Sequence, residues 1–361
     1  MNEEEQLRSI RERIDDLDRQ IQDLLNARAQ AAKDVANIKL ASDPDAVFYR
    51  PEREAQILRM VKARNTGPLG GEAIARLFRE IMSECLALEL PLRVGFLGPA
   101  GTFTQAAALK HFGHAVTTVP MAAISDVFQE VESGSCHYGV VPVENSTEGV
   151  VSHTLDMFLN SPLQICGEVT LRIHHNLLGT DADLSHLKVV YSHQQSLAQC
   201  RGWLDRHLPF VERVPVGSNA EAARRASGAR DAAAIASAMA AELYDLQVLA
   251  PNIEDEPGNT TRFLVIGQQS VPPSGDDKTS LLLSTRNESG GLYRLLAPLA
   301  EHGISMTRIE SRPSRRGNWD YVFFVDIQGH RDDDNVTPAL AALRQQAGMY
   351  KELGSYPKAV L

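Results

Sequence analysis

Cysteine is scarce in this 361-residue chain. Four are present, Cys85, Cys136, Cys166 and Cys200, and no two stand close enough for a Cys-x-x-Cys metal or redox pair. They read as reduced, buried thiols. Long apolar runs are missing too: no stretch of about 18 apolar residues occurs, and the start, Met1-Asn2-Glu3-Glu4-Glu5, is acidic with no apolar signal core. The expectation is a cytoplasmic protein with no membrane partner. Dense Lys/Arg runs are absent, and a formal net charge of −10 argues against nucleic acid as a partner. Any anionic ligand must therefore be gripped by local basic groups. Gly98-Pro99-Ala100-Gly101-Thr102-Phe103-Thr104 is neither a Walker loop nor a dinucleotide fingerprint, and no Gly-x-Ser-x-Gly elbow exists. His174, His175 and His193 lack a metal-binding spacing with nearby acids, so structural hydrogen bonds are expected of them and no metal or other cofactor is implied.

What is present is core-forming material in quantity, 43% hydrophobic against 23% charged, in a chain long enough for two or three domains. Leu7, Ile10, Ile14, Leu17, Ile21, Leu24, Leu25, Ala32, Val35 and Ile38 recur at helical spacing with no breaker before Pro44. The spacing predicts one amphipathic helix more than about 50 Å long, which needs partner helices from a second copy. A second helix starts near Pro51 and a third runs from Glu72 to Leu90. Arg28 and Lys39 return to nearly one bearing on the first helix, roughly 16 Å apart, and Arg11 stands about a quarter turn away.

The pattern Leu-x-x-Ile-Arg-x-x-Ile-x-x-Leu-Asp, Arg28, Ile38-Lys39, Pro51-Glu52-Arg53-Glu54 and Phe78-Arg79-Glu80-Ile81-Met82-Ser83 resembles the all-helical chorismate mutase family over residues 5–90. The resemblance implies that Arg28 and Arg53 hold the carboxylates of chorismate and Lys39 donates to its ether oxygen. Glu54 would accept from the ring hydroxyl, Arg11 would reach into a partner subunit's site, and Cys85 would line the pocket. Glu89 stands where an amide is known beside the ether oxygen, and Arg50 where a carboxylate is known. A carboxylic acid donates a hydrogen bond and a carboxylate does not, so Glu89 implies a mutase that works best in acid.

From Arg93 the rhythm changes to short β-like runs alternating with Ala-rich helical ones, the mark of βα units and here of two α/β lobes around a cleft. The runs are Arg93–Leu97, Ala115–Val119, Tyr138–Val143, Leu163–Ile173, Lys188–Tyr191, Ala232–Ile235 and Phe263–Ile266. Polar groups follow or precede several of them: Glu144-Asn145-Ser146-Thr147-Glu148-Gly149, Ser192-His193-Gln194-Gln195 with Gln199, and Gly258-Asn259-Thr260-Thr261-Arg262 at the mouth of the last run. In this order they resemble the prephenate dehydratase family over about residues 93–267. The resemblance implies Thr261 as the essential hydroxyl, Asn145, Ser192 and Gln199 as orienting groups, and Arg262 as a carboxylate partner or loop support.

After a linker at 268–278, the order strand, helix, strand, strand, helix, strand is the ferredoxin-like plan, whose open edge or face favours a second copy. Ser289-Gly290-Gly291-Leu292-Tyr293 and Glu310-Ser311-Arg312-Pro313 resemble the phenylalanine-binding pair of the ACT regulatory domain. The resemblance implies that Gly290, Gly291 and Leu292, with Glu310 and Ser311 of a facing subunit, bind L-phenylalanine. The expected chain is multidomain: an all-α mutase domain (1–90), a two-lobed α/β dehydratase domain (93–267) and an α+β ACT domain (279–356), assembled as a homodimer or higher homo-oligomer. Its substrates would be chorismate and prephenate, with phenylpyruvate as product. Two alternatives stay open: arogenate at the dehydratase site, its ammonium met by Glu144 or Glu148, and a non-catalytic amino-acid-binding protein.

Overall fold

The computed structural model describes residues 3–43, 46–285, 288–313 and 321–361; Pro44, expected beyond the end of the first helix, lies outside them. The unbroken apolar spacing forms a single helix, α1 (Glu3–Ser42). It is followed by α2 (Pro51–Ala63), with proline in its first turn, and α3 (Gly71–Glu89). The C-terminal part of α1 packs on α3, with Ala36 buried and Arg28, Ala29, Ala32 and Lys39 half-buried. The rest projects, and Ile10, Ile14, Ile21 and Leu24 are each at least 50% exposed.

The middle of the chain builds two sheets. The first lobe holds β1 (Arg93–Leu97), α4 (Phe103–Phe112), β2 (Thr117–Met121), α5 (Ile124–Glu132), β3 (Tyr138–Asn145), β4 (Gly149–Val150), α6 (Ser152–Phe158) and β5 (Gln164–Arg172). The chain then crosses to a second lobe: β6 (Asn176–Gly179), β7 (Val189–His193), α7 (Gln194–Gln199), α8 (Arg201–His207), β8 (Glu212–Val216), α9 (Asn219–Ala226), β9 (Ala232–Ala236), α10 (Ala238–Leu243) and β10 (Gln247–Ala250). It returns through β11 (Thr260–Gly267), which enters the first sheet between β3 and β5, antiparallel to both. The orders are β2-β1-β3-β11-β5, with β4 on β3, and β10-β6-β9-β7-β8. Both sheets are mixed, so the βα rhythm of the sequence describes only part of each. All seven β-like runs fall on strands, Arg93–Leu97 with its ends unchanged and the other six with shifted ends, while β4, β6, β8 and β10 were not among the runs.

The last part runs β12 (Asp277–Ser284), α11 (Gly291–Glu301), β13 (Met306–Pro313), β14 (Tyr321–Gln328), α12 (Val336–Gln346) and β15 (Met349–Pro357) in an antiparallel sheet of order β13-β14-β12-β15. This is the ferredoxin-like plan. β12 begins at Asp277, inside the stretch read as a linker. Alternate residues divide between two cores: Leu281, Leu283, Val325 and Ile327 face α11 and α12, whereas Leu282, Phe324, Leu353 and Tyr356 pack on Ile165, Leu264 and Ile266 of the first lobe. Backbones come close there, and a Cβ on Gly354 would collide with the backbone of Ile165.

Arg262 joins these two sheets. Its Nε donates to Glu168 Oε2 at 2.8 Å on β5, Nη1 to Asp326 Oδ2 at 2.6 Å on β14, and Nη2 to the Tyr356 hydroxyl at 3.0 Å on β15. Lys278 also holds Glu168, and Ser280 donates to Asp326. Burial alone would raise the Asp326 pKa, but the adjacent guanidinium outweighs it and holds the group below the ordinary carboxylate value. Asp326 thus adds stability that is full above an ordinary pKa of about 3.9 and is lost as pH falls through its lowered value. Arg262→Ala is expected to cost about 3–5 kcal/mol, because it strands a buried carboxylate. Urea unfolding at pH 7 should show the loss, most of it on Asp326 because Glu168 keeps Lys278; an unchanged midpoint would show that the ion cluster adds nothing.

Candidate active sites

Two strand ends and one helix end meet in the cleft between the lobes. Asn145, at the end of β3, is the register partner of Thr261 on β11, and its Nδ2 donates to Thr261 Oγ1 at 2.8 Å and to Asn259 Oδ1 at 2.7 Å. Its Oδ1 in turn accepts from the amides of Thr147 and Glu148, which fixes the orientation of the side chain. Across the cleft, Asn259 Nδ2 donates to Gln199 Oε1 at 3.1 Å, and Gln199 Nε2 donates to Glu148 Oε1 at 3.1 Å. A continuous chain of amide hydrogen bonds therefore runs from Thr261 to Glu148. A cavity of about 270 Å³ opens beside it, lined by Glu148, Gln199, Glu254 and Asn259 among others.

Two sequence-derived candidates do not reach this cleft. Ser192 has no exposed surface and donates into the second lobe, to Asn219 Oδ1 and to the Ile235 carbonyl, each at 2.9 Å. It supports the segment that carries Gln195 and Gln199. Arg262 was read as lying at the mouth of a strand, but β11 starts at Thr260, so Arg262 is inside the sheet. Successive strand residues point to opposite faces, which sends Thr261 to Asn145 and Arg262 to the C-terminal sheet. Glu144 likewise turns away from the cleft, paired with Arg308 of β13 at 3.2 Å.

His175, given only a structural role from the sequence, bonds through Nε2 to Gln199 Oε1 at 2.8 Å, and burial keeps its pKa below the ordinary histidine value. Asn259 and His175 had no signal beyond their polar neighbours, because their role depends on two crossings that bring the lobes together. Of the other two histidines, His174 pairs with Glu254 and His193 caps α7. In the turn Gly98–Thr104, the Gly101 amide donates to Gln105 Oε1 at 2.7 Å.

The helical site gathers residues from α1, α2 and α3. Arg28 and Lys39 share the half-buried face of α1, as their spacing requires, and both act electrostatically on Glu89 near the end of α3. Burial raises the Glu89 pKa, and these two cations oppose the rise. Lys39 Nζ donates to the Val47 carbonyl at 3.1 Å and lies 5.4 Å from the Phe48 ring centroid. Glu54 accepts from Arg79 Nη1; burial raises its pKa, while Arg79 and Arg28 lower it. Arg79 was legible only as part of a motif. Cys85 is buried, whereas Arg11 and Arg53 are exposed. Arg50 pairs with Glu52 at 2.5 Å.

In the C-terminal sheet, Gly290 adopts φ 72°, a left-handed turn that glycine accepts readily, and Gly291 opens α11. Glu310 and Ser311 lie on the edge strand β13, at the end of the sheet where β12 leaves toward α11. Pleating gives Glu310 the half-buried face shared with Arg308 and Arg312, and Ser311 the exposed one. Arg312 grips Asp156 and Ser152 of α6.

A chorismate mutase type II family model matches residues 10–90, a prephenate dehydratase model residues 94–271 and an ACT domain model residues 279–345. The chain is 58% identical to the bifunctional chorismate mutase/prephenate dehydratase of Stutzerimonas stutzeri and 57% identical to that of Pseudomonas aeruginosa, with 100% of each chain covered in both cases. A prephenate dehydratase from Arthrobacter aurescens, solved in complex with L-Phe, superposes with a TM-score of 0.68 at 34% identity, covering 74% of this chain and 90% of that one. Among the described residues no helix is long and apolar enough to cross a membrane. With three family models in order along one chain and full-length relatives at this identity, the chain belongs to the bifunctional chorismate mutase/prephenate dehydratase family.

Proposed function

We propose that chorismate rearranges to prephenate among α1, α2 and α3, and that prephenate loses carbon dioxide and water in the cleft beside Thr261. The observation that carries this reading is the chain of amide hydrogen bonds that ends on the Thr261 hydroxyl. Hydroxide is a poor leaving group, so the dehydratase must donate a proton or a strong hydrogen bond to the departing oxygen while the ring carboxylate leaves as carbon dioxide. Thr261 Oγ1 accepts from Asn145, which polarises the hydroxyl and makes its own proton a better donor. Asn145 and Gln199 orient the substrate, and Ser192 holds the Gln199 segment from below.

The mutase step is unimolecular and needs no nucleophile, only a held conformer and a stabilised ether oxygen. Arg28 and Arg53 bind carboxylates, Lys39 and a protonated Glu89 donate to the ether oxygen, and Glu54 accepts from the ring hydroxyl with its partner Arg79 fixing the carboxylate. Cys85 lines the pocket. Arg11 comes from a second copy, whose long helix covers the exposed stripe of Ile10, Ile14, Ile21 and Leu24. L-Phenylalanine binds at Gly290, Gly291 and Leu292 with Glu310 and Ser311 of the facing subunit, and inhibits by favouring a less active arrangement of the lobes. The complex of the Arthrobacter aurescens relative with L-Phe supports this, as do the Arg308–Glu144 and Arg312–Asp156 pairs that tie β13 to the first lobe.

Three outcomes test the reading. Thr261→Ala should cut phenylpyruvate formation at least about 10²-fold while prephenate still accumulates from chorismate, and Thr261→Ser should keep part of the activity; loss of both activities would point to misfolding instead. Protonated Glu89 is the active form and its pKa is raised, so mutase turnover should be highest in acid and fall as pH climbs through that raised value. Glu89→Gln should flatten the profile, and a flat wild-type profile from pH 5 to 8 would remove Glu89 from the mechanism. Millimolar L-phenylalanine should weaken prephenate turnover or its substrate dependence; no change in either would end the sensor assignment.

A further inference from the structure

The segment that leads into α2 packs where the mutase helices meet the dehydratase lobe. Leu58, Val61, Ala75 and Met82 form a core shared by α2 and α3, whereas Phe48 and Tyr49 are buried in a different cluster. That cluster joins Ala36 of α1 and Leu86 of α3 to Val94, Ala107, Phe112, Tyr138, Val140 and Phe263 of the dehydratase lobe. The Tyr49 ring lies 5.0 Å from that of Tyr138 and 5.1 Å from that of Phe112. Its hydroxyl shares a 2.8 Å hydrogen bond with His111 Nε2 on α4. Burial and the nearby Arg79 push the His111 pKa down to about 3, so the imidazole is neutral. Gly167 on β5 makes room for it, since a Cβ there would stand 2.9 Å from His111 Cε1.

The same segment touches the mutase site at both ends. On one side, the Val47 carbonyl accepts from Lys39, whose ammonium also lies near the Phe48 ring. On the other, Tyr49 is followed directly by Arg50 and by the first turn of α2, which carries Arg53 and Glu54. Anchoring Tyr49 therefore sets where Lys39, Arg53 and Glu54 stand relative to one another. Misplacement of such groups by about 1 Å can cost 10²-fold in rate.

We propose that the Tyr49–His111 hydrogen bond is a positioning element of the mutase site, so that a residue of the dehydratase lobe tunes chorismate rearrangement from outside the mutase helices. Neither residue is a catalytic residue, and the inference rests on placing the mutase reaction at Lys39 and Glu54. Tyr49 packs on Tyr138 at the start of β3, whereas Asn145 of the amide chain ends that strand, so the dehydratase reaction should not register the loss of either residue.

The test is to measure both activities of the full chain in Tyr49→Phe, His111→Leu, the double variant and His111→Gln, with Lys39→Ala as reference. Expected are a fall of about 5- to 10-fold in mutase kcat with KM little changed, and unaltered turnover of supplied prephenate. The double variant should be no worse than either single one, since one bond is removed in each, and His111→Gln, which can still pair with the hydroxyl, should recover much of the rate. Unchanged mutase kcat in both single variants would overturn the proposal, as would a parallel fall of both activities in His111→Gln as well as His111→Leu. Lys39→Ala separates the levels: if it too keeps mutase activity, the mutase assignment itself has failed, and if it alone loses activity, only the role of Tyr49 and His111 has.

Discussion

A β-strand sends neighbouring side chains to opposite faces, and the architecture depends on how β11 uses that constraint. Thr261 turns to the cleft and meets Asn145; Arg262, one residue later, turns to the C-terminal sheet and meets Asp326 and Tyr356. Because β11 lies between β3 and β5, both contacts are fixed by hydrogen-bonded neighbours on either side. The hydroxyl proposed for catalysis and the interdomain ion cluster are consequently held by one backbone. A change in how the C-terminal sheet sits on the first lobe has a short mechanical route to Thr261 and Asn145, and the pairs Arg308–Glu144 and Arg312–Asp156 supply two more.

The three parts of the chain are also less separate than their family boundaries suggest. Arg59 of α2 donates to the Ser274 and Asp276 carbonyls, Lys62 to the Val360 carbonyl, and Glu80 of α3 pairs with His114 beyond α4. The final residues Val360 and Leu361 pack against the mutase helices. α2 and α3 are thus cemented to the body of the molecule by polar and apolar contacts alike, while most of α1 stands clear with its apolar stripe uncovered.

Much of this was legible in the sequence. An uninterrupted helical period has one solution, so α1 and the shared face of Arg28 and Lys39 could be read directly, as could the strand and helix order of the C-terminal sheet. The misreadings share a cause. The start of β11 is rich in Thr, Asn and Gly, which look like a loop, and its pairing with Arg172 of β5 is a long-range contact that no local pattern announces. That one shift moved Arg262 from the cleft to the ion cluster. Ser192 sits at a strand end like Asn145, and only the packing of α9 against β7, which brings Asn219 beneath it, turns the hydroxyl inward. Phe48 and Tyr49 had no periodic context at all, so their burial at the junction of the mutase helices and the first lobe was invisible.

Thr260, where the chain re-enters the first lobe, is the register partner of Arg172, where it leaves. The entire second lobe is therefore spliced into the turn of a β-hairpin, its two connections running side by side. Paired tethers of this kind act as a hinge: they permit rotation about the line joining them far more readily than sliding or separation. Asn259 belongs to one tether and His175 to the other, and both are bonded to Gln199. The two tethers are thus also joined through the amide network, so opening the cleft about them would disassemble the amide chain in the same movement.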